Sequence, residues 1–111
     1  MPLPEFSLEG QVFVVTGGGR GLGVALTGAI IEAGAKKVYS IDLLPEPHED
    51  WYKVKRNLKD RGDRIVYYGN QDATDDAGIE KIFEEAVQSE GRLDGLVCSQ
   101  VRSLCFRANE Q

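Results

Sequence analysis

Residues Thr16-Gly17-Gly18-Gly19-Arg20-Gly21-Leu22-Gly23 follow the apolar run Gln11 to Val15 and precede residues at helical spacing. A chain that turns from strand to helix against a pyrophosphate needs glycine for three reasons: positive φ, no Cβ facing the ligand, and close packing of helix on strand. Gly17, Gly21 and Gly23 are placed to fill those roles. The free N–H groups of the first helical turn, with the partial positive charge there, then face the phosphates. Gly-rich turns also serve as plain tight connections, so the context has to decide. Here Asp42 ends the next strand-like run, 19 residues after Gly23, where a carboxylate accepts hydrogen bonds from a ribose diol.

Asp42 also bears on cofactor choice. A carboxylate about 5 Å from the 2′-phosphate of NADP costs on the order of 3 kcal/mol per unit charge at an effective dielectric of ~20. NAD is therefore expected ahead of NADP. Arg20 argues the other way, because a guanidinium in the glycine loop pairs with that phosphate, yet its long side chain is also free to stay in solvent. The short carboxylate outweighs the mobile guanidinium.

The elements that position these groups alternate. Gln11 to Thr16 reads as a buried strand, and Leu22, Leu26, Ala29, Ile30 and Ala33 recur at helical spacing until Gly34. Lys37 to Asp42 is a second strand; Pro45 and Pro47 forbid regular structure after it. A weaker helix with Trp51, Val54 and Leu58 on one side runs to Gly62, and Arg64 to Tyr68 is a third strand. Thr74 and Asp75 are N-cap candidates for a helix with Ile79, Ile82, Phe83, Ala86 and Val87 on one face, before Gly91 and a fourth strand, Leu93 to Cys98. Strands separated by single helices give an α/β fold: a Rossmann-like, three-layer parallel sheet of strand order 3-2-1-4, an incomplete doubly wound domain. Residues 1–98 form the dinucleotide-binding part and 99–111 a tail that breaks the rhythm.

Read as TGxxxGxG, residues Thr16 to Gly23 resemble the short-chain dehydrogenase/reductase family, and the resemblance runs from about Phe6 to Cys98. It implies that Thr16, Gly17, Gly19, Arg20, Gly21, Leu22, Gly23 and Asp42 contact the cofactor, with Asp72 and Ala73 at the adenine ring and Cys98 at the end of the fourth strand. It also implies hydride transfer between a nicotinamide and an alcohol or ketone, with NAD or NADP as cofactor. Members use a Ser, a Tyr and a Lys for the chemistry, the last two spaced YxxxK. Tyr39, Tyr52, Tyr67 and Tyr68 are followed four positions later by Leu43, Arg56, Gln71 and Asp72, so that spacing is absent and no catalytic residue is assigned. Where the family has Asn-Asn-Ala-Gly, this chain has Cys98-Ser99-Gln100-Val101. The expectation is the N-terminal half of such an enzyme, from a truncated or alternatively spliced product or a gene model leaving the frame near Ser99. Such a fragment is inactive; the rival is a noncatalytic nucleotide-binding or interaction fragment.

The remaining features are bland. A chain of 111 residues, 41% hydrophobic and of net charge −5, fits one soluble domain and argues against nucleic acid and anionic membranes as partners. No run reaches the roughly 20 apolar residues of a membrane helix, and Met1 to Gly10 lacks the pattern of a signal peptide, so a cytoplasmic location is the default. Cys98 and Cys105 have no CxxC spacing and read as reduced thiols, with no metal site. His48 reads as a surface loop residue, Trp51 and Tyr52 as packing for the second helix, and Glu84, Glu85, Glu90 and Asp94 as solvated surface. The fourth strand is expected to leave an apolar edge prone to self-association.

Overall fold

Four short segments are strands in the computed structural model, β1 (Val12–Thr16), β2 (Lys37–Ile41), β3 (Ile65–Tyr68) and β4 (Gly95–Cys98), and β-branched and aromatic residues dominate the first three. The structure describes residues 7–72 and 74–99; the expectations for Ala73, Gln100, Val101, Cys105 and the rest of the tail fall outside the described residues. All pairings are parallel, in the order β3-β2-β1-β4. Register puts Thr16 opposite both Ile41 and Cys98, and Ile41 opposite Tyr68. The carboxyl ends are therefore level, and the residues that follow them emerge along one edge.

Helices α1 (Gly21–Glu32), α2 (Glu49–Asn57) and α3 (Asp76–Glu90) complete the three layers. Strand alternation splits the core between two faces. Val15, Val38 and Ile65 pack with Val24 and Ile31 of α1 and Trp51 of α2. Val12, Val14, Tyr39 and Ile41 meet Ile82 and Ala86 of α3 on the other side. Burial on both faces is why β1 and β2 read as near-continuous apolar runs. Among the described residues, no helix is long and apolar enough to cross a membrane.

Several boundaries differ from the sequence reading. The second helix ends at Asn57 and gives way to a 3₁₀ segment, Lys59–Arg64, with Lys59 at φ +57°. Asp42 lies one residue beyond β2, and β4 starts at Gly95, not Leu93. Asp75 alone caps α3, its Oδ1 accepting from the Gly78 N–H, while Thr74 bonds Asp72. His48 is exposed and caps α2 through Nδ1, which accepts from the Asp50 N–H. Trp51 is buried, and Tyr52, 39% exposed, meets its ring edge-on with centroids 5.3 Å apart.

Three acids expected to be merely solvated are structural. Glu90 accepts from the Tyr39 hydroxyl at 3.0 Å and pairs with Lys36; Glu85 accepts from the Tyr68 hydroxyl. Asp94 accepts from the Val12 N–H and pairs with Arg92, tying the start of β1 to the start of β4. Helical position marks an acid as outward, but not that a tyrosine from a distant strand reaches it.

Burial first, and then the bond to Glu90, pushes the Tyr39 phenol from 10.0 to about 12. The folded chain thus holds this proton more tightly than the unfolded chain, so stability is intact below the unfolded value and is lost as pH rises toward the folded one. Urea midpoints measured between about pH 9 and about pH 12 are expected to fall less steeply for Tyr39→Phe than for the parent. Equal slopes would refute the linkage.

Candidate functional site

The glycine loop joins β1 to α1 by an approach that admits no side chain. A Cβ on Gly23 would collide with the Gly17 carbonyl, so the first turn of α1 rests directly on the loop backbone. Arg20, the N-cap, is extended and contributes no side-chain cap, and no acid lies in the first turn. The leading N–H groups of α1 thus have no side-chain acceptor, and the positive end of the helix dipole is left for a ligand.

Level strand ends bring two more residues alongside. Asp42, after β2, and Ser99, after β4, line an open cleft of about 310 Å³ together with Gly17, Arg20, Gly21, Leu22 and Gly23. The cleft lies at the carboxyl edge where β1 meets β4, the point at which strand order reverses. Leu22 is 61% exposed there, an apolar side chain facing solvent at the mouth of the helix.

Three backbone donors hold the Asp42 carboxylate. Oδ2 accepts from the Gly19 N–H at 2.9 Å; Oδ1 accepts from the Leu43 N–H at 2.7 Å and the Leu44 N–H at 3.4 Å. Gly19 is gripped from its other side too, since its carbonyl accepts from the His48 N–H at 2.7 Å. A Cβ on Gly19 would lie 2.8 Å from Asp42 Oδ2 and 3.0 Å from the Tyr67 hydroxyl, so this glycine is what admits the carboxylate. Arg20 is exposed.

The other sequence-predicted residues are distributed around this cleft. Thr16 is fully buried at the end of β1, and its carbonyl accepts from both the N–H and the Oγ of Ser99, the latter at 2.6 Å. Cys98 is half-buried opposite Thr16, one residue short of the cleft. Asp72 stands in the turn after β3, where Oδ1 accepts from the N–H and Oγ1 of Thr74; it is not among the residues that line the cleft. Ser99 is the lining residue that the sequence reading does not assign, because the family pattern breaks at Cys98 and the tail begins at residue 99. The available signal was its place just beyond the strand adjoining β1, where ligands of open α/β sheets bind. Among the described residues, no group of three His, Cys, Asp or Glu is arranged to hold a metal ion.

A family model for short chain dehydrogenases matches residues 11–100. The chain belongs to the short chain dehydrogenase family. It is 34% identical over 101 residues to a short-chain dehydrogenase/reductase of Pestalotiopsis microspora, covering 91% of this chain and 36% of that protein. It is 31% identical to an NADP-dependent (R)-specific alcohol dehydrogenase of Lentilactobacillus kefiri, covering 81% and 33%. Among solved structures, a short chain dehydrogenase from Mycobacterium paratuberculosis bound to NAD superposes with a TM-score of 0.68 at 28% identity, over 87% of this chain and 39% of that one. The chain thus spans about a third of the length of the curated relatives it matches.

The residues present fit the dinucleotide that the family implies. The cradle at Gly23 is one a Cβ would fill, the first-turn donors of α1 have no side-chain partner, and one carboxylate stands beside them. Gly23→Ala is expected to cost about 3 kcal/mol or more in urea unfolding, because the clash is with backbone and not with a flexible side chain. Leu22→Ala, one residue away and exposed, is expected to stay within about 0.5 kcal/mol of the parent. A stable Gly23→Ala protein would show that the approach of α1 to the loop is looser than described.

Proposed function

We propose that this chain holds the dinucleotide of a short-chain dehydrogenase/reductase, the fold's cofactor-binding half, with NAD preferred to NADP. The observation that carries the reading is that the uncapped start of α1 and the Asp42 carboxylate face a single cleft. When bound, a nicotinamide dinucleotide supplies hydride exchange with the carbon of an alcohol or carbonyl group. In this reading Gly17, Gly21, Leu22 and Gly23 hold the pyrophosphate by backbone donors and close approach, with Thr16 and Gly19 shaping the loop beneath. Asp42 accepts from the adenosine ribose. Asp72 stands near the adenine, and Cys98 with Ser99 borders the cofactor beyond β4.

The preference for NAD rests on how Asp42 is held. Its charge is fixed by three backbone N–H groups, while Arg20 is exposed and supplies no cap to α1. A fixed anion repels a 2′-phosphate at every moment, whereas an exposed guanidinium compensates only part of the time. The relatives point both ways, one described as NADP-dependent and one solved with NAD.

Proton transfer in this family needs a Tyr whose hydroxyl gives or takes the substrate proton and a Lys that lowers its pKa. No YxxxK occurs in the 111 residues, so this chain binds without turning over. NADH fluorescence is expected to rise on addition of the chain, more strongly than NADPH fluorescence, with no alcohol-dependent NADH production. Asp42→Ala is expected to narrow the gap between the two dinucleotides. No fluorescence change at any concentration up to about 100 times an ordinary micromolar Kd would overturn the reading.

Self-association belongs to the same proposal. Leu96 is 47% exposed on β4, and among the described residues no strand pairs with that strand's outer edge. An open apolar edge is a template for a second chain. The chain is expected to elute as larger species as its concentration rises, and Leu96→Lys to shift it toward the monomer; a parent monomeric throughout would refute this.

A further inference from the structure

Behind the cleft, one side chain touches both parts of the Asp42 clamp. Tyr67 comes from β3, and its hydroxyl donates to the Leu44 carbonyl at 2.6 Å. Its oxygen also stands 3.0 Å from the place a Cβ on Gly19 would occupy. The ring meets the buried Trp51 ring edge-on, centroids 5.9 Å apart, which fixes its position from the far side.

The Leu43–Leu44 turn held by this hydroxyl is the one that donates both its amides to Asp42 Oδ1. Each carboxylate oxygen has two acceptor positions. The turn therefore fills Oδ1, and Gly19 takes one position on Oδ2, which leaves a single acceptor to offer a ribose hydroxyl. A carboxylate bound at both oxygens is also unable to swing its charge away from a phosphate at the 2′ position. The Leu44 carbonyl has one further backbone donor, the Asn70 N–H at a long 3.4 Å, so the tyrosine makes the shorter of its two contacts.

We propose that Tyr67 is a positioning residue for cofactor selection: by fixing the Leu44 carbonyl, its hydroxyl keeps the Asp42 carboxylate clamped and so enforces discrimination against a dinucleotide bearing a 2′-phosphate. The proposal rests on the dinucleotide reading given above. Burial first, then the Asp42 charge and then Tyr52, raises the phenol to about 12, so it remains a donor across the range of any binding assay.

The test is a double-mutant cycle with NADH and NADPH as fluorescent probes, on the parent, Tyr67→Phe, Asp42→Ala and the double variant. Phenylalanine keeps the ring against Trp51 and deletes only the hydroxyl. Tyr67→Phe is expected to tighten NADPH about fivefold, the equivalent of one ordinary hydrogen bond, and to leave NADH within about twofold, so that the preference for NADH shrinks. In the Asp42→Ala background the same change is expected to do nothing to either, because its effect passes through that carboxylate. A parent that binds neither dinucleotide refutes the reading of the cleft. A parent that binds while Tyr67→Phe leaves the NADH to NADPH ratio unchanged, or keeps its effect in the Asp42→Ala background, refutes the role of Tyr67 alone. Should Tyr67→Phe fail to fold, Leu44→Pro removes one amide donor to Asp42 from the other side of the contact. It must then shrink the ratio, and an unchanged ratio overturns the proposal.

Discussion

Gly23 and the Gly17 carbonyl stand so close that no side-chain atom fits between them, and the rest of the site depends on that approach. It sets the first turn of α1 on the end of β1, the strand that pairs with neighbours on both sides. Since the strand ends are level, a helix seated there has Asp42 on one flank and Ser99 on the other. A larger residue at position 23 would lift the helix start away from both. The same seat directs unpaired N–H groups outward, so one steric fact fixes both the shape and the electrostatic sign of the cleft.

Against that positive end the fold places one fixed negative charge. Backbone amides, and not a lysine or arginine, hold the Asp42 carboxylate, and this choice has a geometric consequence. Amides are part of the chain and cannot rotate away, so the acid is held as rigidly as the glycine loop and the turn that donate to it. The segment after β2 is short, contains Pro45 and Pro47, and closes back on Gly19 through the His48 N–H. Loop, acid and turn therefore behave as one body, anchored below by Tyr67 and Trp51.

How much of this was legible in the sequence depends on the range of the interactions. The glycine loop, the acid after β2, the alternation of strands and helices and the order β3-β2-β1-β4 all follow from local spacing, apolar periodicity and the resemblance to a family. Ser99 was overlooked because the family pattern breaks at Cys98, although the fold continues through the bonds of Ser99 to Thr16 and Gly17. Glu90 and Asp94 looked like surface acids for a different reason. Their partners, Tyr39 and the Val12 N–H, lie 51 and 82 residues away in the chain, and nothing in a helical or turn position signals such a partner. Tyr67 belongs with them, since its contact with Leu44 spans 23 residues.

The distribution of contacts along the chain also separates binding from chemistry. Pyrophosphate and ribose contacts in the proposed reading come from Thr16 to Asp42, a single strand-helix-strand unit that the packing of α1, α2 and the sheet makes rigid. Binding energy from that unit requires no reacting group. Proton transfer requires a tyrosine and a lysine at YxxxK spacing, and three of the four tyrosines present serve other ends: Tyr39 and Tyr68 donate to Glu90 and Glu85, and Tyr67 to Leu44. Each of these phenols has its pKa raised by burial, the opposite of what a proton-transfer tyrosine near neutral pH needs. None of these three tyrosines is therefore set up for the family's proton transfer, and in the proposed reading what this part of the fold contributes is the position and selection of the dinucleotide.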